Sequence, residues 1–122
     1  MKNLYRNITL IILVFFLSAN LTPGQSNQNN LLVSLQNYPN PFNLQTQIQF
    51  VLAQNSEVSV KVFNILGREV KTLIDNKSMS AGPQIAVWDG KDNSGNVVPS
   101  GMYLYKVQAG NSVLTKKMSL LK

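Results

Sequence analysis

Cysteine and histidine are both absent from the 122 residues. Without them the chain has no thiol nucleophile, no imidazole base and few of the usual zinc ligands, so catalysis is poorly supplied and an enzyme is not expected. No disulfide is available to staple a small fold. Acids are scarce: Glu57, Glu69, Asp75, Asp89 and Asp92 stand against 11 basic residues. The basic residues are scattered, which is not the footprint of a nucleic-acid-binding surface. Also missing are any sustained helical period and any apolar run of the roughly 20 residues that a bilayer-spanning helix takes.

What is present begins with Met1, Lys2 and Arg6, the apolar run ITLIILVFFLSA from Ile8 to Ala19, and then NLTPGQ. A basic start, a short apolar core and a small-residue exit form the layout of a cleavable signal peptide. Cleavage after Gly24, with Thr22 two residues earlier, suits small-residue preference better than cleavage after Ala19, which has Leu17 in that place. No cysteine follows Ala19 to carry a lipid. The expected division is residues 1–24 as signal peptide, 25–32 as a polar linker and 33–122 as a folded domain. Loss of Lys2 and Arg6 leaves nine basic residues against five acidic, a net charge of +4. A domain of this size buries only about 60–65 % of its unfolded surface, so its stability has to come from well-packed strands.

The folded part reads as strands and turns. Val33-Ser34-Leu35 is a short first strand. TQIQFVL, Thr46 to Leu52, alternates, with Ile48, Phe50 and Leu52 on one face and Gln47 and Gln49 on the other. EVSVKVF, Glu57 to Phe63, repeats that pattern with Val58, Val60 and Val62 inward. Period two with one wet face means a half-buried strand. Asn64 to Arg68 turns the chain, with Gly67 able to take positive φ. Glu69 to Ile74 returns, and Asp75 to Gly82 reads as a polar loop. Gln84 to Trp88 is a further strand, Asp89 to Gly101 a long turn-rich connection, and Met102–Ala109 with Val113–Leu121 a final hairpin. Short strands separated by Gly, Asn and Pro predict an all-β, antiparallel, immunoglobulin-like sandwich of about seven strands.

NYPNPFN, Asn37 to Asn43, stands out for its two prolines and flanking rings. Proline fixes its own φ and disfavours helix in the residue before it, so the segment reads as a rigid polyproline-like strap outside the central strands. Tyr38 and Phe42 are expected to close one edge of the sandwich. Asp89, Asp92, Asn93, Ser94 and Asn96 offer oxygens for a cation, but DNSGN lacks the spaced acids and distal glutamate of a calcium loop, and its residues suit a turn. Trp88, Tyr103 and Tyr105 read either as a sugar-binding platform or, more in keeping with buried aromatics, as sandwich core. The terminal TKKMSLLK reads as an edge strand protected by lysines. Met118 to Lys122 are expected to be separable from the rest of the fold.

NYPNPFN, EVSVKVFNILGREVKTL, SAGPQIAVWDGKDNSGNVVPSGMYLYKVQAG and TKKMSLLK, in that order, closely resemble the type A C-terminal sorting domain of the type IX secretion system, over about Val33 to Lys122. VFNILGREV and WDGKDNSGNVVPSGMYLYKV are also similar to the immunoglobulin-like domain of flagellar hook-capping proteins. The family motifs fall on Pro39, Asn40, Pro41 and Phe42, on Gly67, on Trp88, Asp89 and Gly90, on Gly101 and Tyr103, and on Lys116, Lys117 and Lys122. The resemblance implies passage through the inner membrane and recognition by an outer-membrane translocon. It further implies processing by a sortase-like peptidase and arrival at the cell surface or in the medium. No cofactor, metal, nucleic acid or small-molecule substrate is implied. Such a domain normally follows a large cargo, and here only a short polar lead separates it from the signal. The alternative is a structural or adhesive immunoglobulin-like module that binds protein or glycan at the cell surface.

Overall fold

Val58, Val60 and Val62 have no exposed surface, while Glu57 faces water, so the alternation in EVSVKVF is the pleat of a half-buried strand. The computed structural model describes residues 30–122, and the expected signal peptide lies outside them. Seven strands follow one another: β1 Leu32–Tyr38, β2 Thr46–Leu52, β3 Ser56–Asn64, β4 Glu69–Met79, β5 Gly82–Trp88, β6 Gly101–Ala109 and β7 Ser112–Leu120. They form two antiparallel sheets, one ordered β1-β2-β5 and the other β4-β3-β6-β7. This is the predicted immunoglobulin-like sandwich.

The core lies between the sheets. Ile48, Phe50 and Leu52 of β2 oppose the valines of β3 and Tyr103, Tyr105 and Val107 of β6, all buried. Trp88 closes one end, its ring 5.5 Å from that of Phe42 and 5.2 Å from that of Tyr103. The Trp88 indole N–H donates to the Lys91 carbonyl at 2.9 Å, so its polar tip is satisfied while its rings are buried. The Tyr103 hydroxyl donates back to the Pro99 carbonyl at 2.6 Å, the arrangement of a tyrosine corner.

β5 starts at Gly82 rather than Gln84, and two other strands are much longer than their patterns suggest. β1 runs on to Tyr38 and begins at Leu32, which is buried. β4 continues to Met79, so most of the polar stretch expected as a loop is ladder. Glu57 pairs with Ser78 and Val58 with Lys77. The reason is that backbone pairing with β3 needs no buried side chain on this edge. Register shifts in β3–β4 absorb the irregularity: Asn76 takes a φ of 51° and its N–H donates to the Ser59 hydroxyl at 3.0 Å.

Candidate functional site

The terminal strand decides the geometry. β7 pairs with β6 along its whole length and has no strand on its other side, so it is the sheet edge. Met118 and Leu120 point inward and are buried, whereas Thr115, Lys116 and Lys117 are exposed. Lys117 lies opposite Leu104 on the outer face of the sheet, and Lys116 opposite Tyr105 on the inner side at the rim. The expectation that Met118 to Lys122 is separable from the fold is therefore corrected: this segment supplies two core side chains.

NYPNPFN is what holds the end of β7. Phe42 forms a parallel bridge with Leu120, accepting from Leu121 N–H at 2.9 Å and donating to the Ser119 carbonyl at 3.0 Å. Asn40 Oδ1 accepts from Ser119 N–H, also at 3.0 Å. The segment bends at Pro39–Pro41, with both X–Pro peptides cis, rather than running as a polyproline-like strap. Two buried polar side chains fix the bend. Thr46 Oγ1 donates to the Pro39 carbonyl at 2.8 Å, and Asn37 Nδ2 donates to Thr46 Oγ1 at 3.1 Å. Phe42 closes the edge as expected, but Tyr38 does not, being 71 % exposed. Alternation explains it: Leu35 and Asn37 take the inward positions of β1, which leaves Gln36 and Tyr38 outside.

Because Ser119 spends its N–H and C=O on the clasp, strand alternation aims those of Lys117, Thr115 and Val113 the same way. No strand pairs with that side. β7 is thus locked at its last residues and open before them. Lys122 is also held: its backbone N–H donates to the Ser100 hydroxyl at 3.1 Å and its ammonium to the Val98 carbonyl.

The remaining motif residues fall around this end of the sandwich. Gly90 is buried under Leu120 with φ +75°, and a Cβ there would sit 3.7 Å from Leu120 Cδ2. Gly101 opens β6 opposite Leu120. Asp89 Oδ1 accepts from Lys91 N–H at 3.2 Å, and Asp92 Oδ1 accepts from the N–H groups of Ser94 and Asn96 at 2.9 Å each, which is turn chemistry. Gly67 stands apart at the β3–β4 hairpin with φ +85° and open space around it. The structure thus brings Asn40, Phe42, Trp88, Gly90, Gly101, Tyr103 and Lys122 together, leaves Lys116 and Lys117 along the open edge, and leaves Gly67 outside the cluster.

Sequence reasoning missed the buried roles of Asn37 and of Thr46, the latter signalled by its place in phase with Ile48 and Phe50, and read Asn93 as a turn residue rather than a tie to β4. The Asn93 side chain leaves its loop to accept from Thr72 N–H at 3.0 Å and donate to Glu69 Oε2 at 3.3 Å. Thr72, followed by the Lys61 ammonium 3.5 Å away and Asn93, lowers the pKa of the exposed Glu69 carboxyl. Burial raises that of Tyr103 and pushes that of Tyr105 up to about 12. Among the described residues no group of three acids gathers to hold a metal ion.

The sequence profile of the FlgD Ig-like domain matches residues 41–112. Among solved structures, dimeric latent PorU from Porphyromonas gingivalis aligns with a TM-score of 0.60 and 21% identity, over 71% of this chain and 9% of PorU. PorZ, a surface component of the type IX secretion system of the same organism, aligns with a TM-score of 0.50 and 19% identity, over 72% of this chain and 11% of PorZ. FlgD from P. aeruginosa aligns with a TM-score of 0.50 and 24% identity, over 75% and 74% of the two chains. At these identities the likeness is one of fold, and the chain spans only about a tenth of PorU or PorZ. No curated protein matches it.

Proposed function

The chain belongs to the FlgD Ig-like domain family, and from that premise we propose that it is a non-catalytic sorting domain, directing an exported protein across the outer membrane through the type IX secretion system. The observation that carries this reading is the state of β7. Its last residues are clamped by the proline segment, while Val113 to Lys117 present unpaired backbone groups beside two exposed lysines. A receptor strand added there gains main-chain hydrogen bonds, and Lys116 and Lys117 bias it toward an acidic surface. The order of the motifs from NYPNPFN to TKKMSLLK supports the same reading, as does the occurrence of this fold in PorZ. The partners are then the outer-membrane translocon and a sortase-like peptidase, and the route runs through the periplasm to the cell surface or medium, after removal of residues 1–24.

The adhesive alternative loses its aromatic platform, because Trp88, Tyr103 and Tyr105 are all buried. Thr115→Pro tests the sorting mechanism. Its N–H faces away from β6, so proline there removes no ladder bond and occupies an edge position that tolerates it. The expected outcome is a folded protein, with unchanged Trp88 emission, that the translocon no longer exports. Export at the level of the unsubstituted chain would refute strand addition.

A further inference from the structure

The charged side chains of the described residues lie on β3, β4, β6, β7, the connecting loops and the C-terminal Lys122; the strands LVSLQNY, TQIQFVL and GPQIAVW carry none. Their outer face is therefore neutral on a protein that is otherwise amply charged. Its middle is an amide ladder. Gln36 Nε2 donates to Gln49 Oε1 at 2.8 Å, and Gln49 Nε2 donates to Gln47 Oε1 at 3.2 Å. Gln36 Oε1 and Gln47 Nε2 end the ladder as an open acceptor and an open donor. Ile85, 52 % exposed, stands opposite Gln49, and Val87, 47 % exposed, opposite Gln47, whose other neighbour is Tyr38. A shallow depression of about 180 Å³ lies between Gln36, Gln49, Val51 and Ile85.

We propose that this face of the β1-β2-β5 sheet, with its amide ladder and neighbouring aliphatic side chains, binds a neutral glycan. The choice of occupant follows from charge, chemistry and size. A surface without charge of either sign matches an uncharged ligand and gives an ionic one nothing to pair with. Primary amides both donate and accept, as sugar hydroxyls do, and the C–H face of a pyranose ring lies well on aliphatic and tyrosine side chains. The depression holds the liquid volume of about six waters, which suits a single ring. Three strands about 4.8 Å apart with three outward rows about 7 Å apart make a face on the order of 300 Å². Even about twice that flat footprint, to allow for side-chain relief, falls short of the roughly 800 Å² of accessible surface per partner in a stable protein interface, so this face alone does not hold a second copy of the chain. The ladder also fixes its own glutamines, reducing the ordering cost of binding. The site is on the opposite sheet from β7 and does not depend on the sorting reading.

The test is an NMR titration of the ¹⁵N-labelled full chain, expressed with its own leader, against cellohexaose, laminarihexaose and mannohexaose, with an oligogalacturonate as anionic control. At least one neutral hexasaccharide is expected to shift the side-chain amides of Gln36, Gln47 and Gln49 and the backbone of residues 34–38, 47–51 and 83–87. Gln49→Leu, which breaks the ladder, is expected to weaken that binding about tenfold, while Gln108→Ala on the other sheet leaves it unchanged. The proposal is overturned if none of the three sugars shifts this face at millimolar concentration, if the anionic control shifts it equally, or if the same residues shift with protein concentration alone, the mark of self-association.

Discussion

Phe42 and Tyr38 are four residues apart in one segment, yet their environments are opposite. Phe42 is buried against Trp88 and hydrogen-bonded through its backbone to the end of β7, while Tyr38 stands in solvent. Phe42→Ala is expected to cost about 3–5 kcal/mol in chemical denaturation, and Tyr38→Ala to stay within about 0.5 kcal/mol. Equal effects would contradict the clasp geometry. A second residue-scale prediction concerns Tyr105. Burial raises its pKa from 10.0 to about 12, so the folded state holds the proton more tightly than the unfolded chain. The associated stability is complete below about pH 10 and is lost as pH rises toward 12. Tyr105→Phe should flatten this alkaline decline in urea unfolding midpoints; an unaltered slope would assign it elsewhere. The burial of Tyr103, Tyr105 and Trp88 was legible from chemistry alone, since large aromatics in a small sandwich have few other places to go. The exposure of Tyr38 was not, because the inward register of β1 is set by Asn37, a residue that composition places outside.

At the scale of elements, β2, β3, β6 and β7 were readable because their apolar residues recur at every second position where the core needs them. β4 was not. Its C-terminal half, Asp75 to Ser78, buries nothing and is strand only because the backbone of β3 lies beside it. Side-chain periodicity carries no trace of an element stabilised by backbone pairing alone. The long loop after Trp88 was recognised as turns, but its docking onto β4 through Asn93 rests on tertiary proximity between residues 21 or more apart. Asn93→Ala is expected to cost about 0.5–1.5 kcal/mol and to speed hydrogen exchange at Thr72, whose N–H loses its acceptor. Unchanged exchange at Thr72 would show that the contact does not hold in solution.

Across the whole molecule, the two sheets divide the labour by charge. The β4-β3-β6-β7 sheet carries most of the described lysines and the open strand edge, and the strands of the β1-β2-β5 sheet carry no charge. Asn40, Phe42, Trp88, Gly90, Gly101, Tyr103 and Lys122, scattered in sequence, meet at one end because Phe42 and Leu120 pair although 78 positions separate them, while Gly67, Lys116 and Lys117 stay apart. Resemblance identified those residues, but their common purpose in securing the terminal strand appears only in three dimensions. The most direct test of the sorting function joins Leu31–Lys122 to the C-terminus of an exported fluorescent reporter and compares hosts with and without the type IX translocon. Reporter at the surface or in the medium only where the translocon is present is the expected result. Reporter retained in the periplasm of both hosts would contradict it.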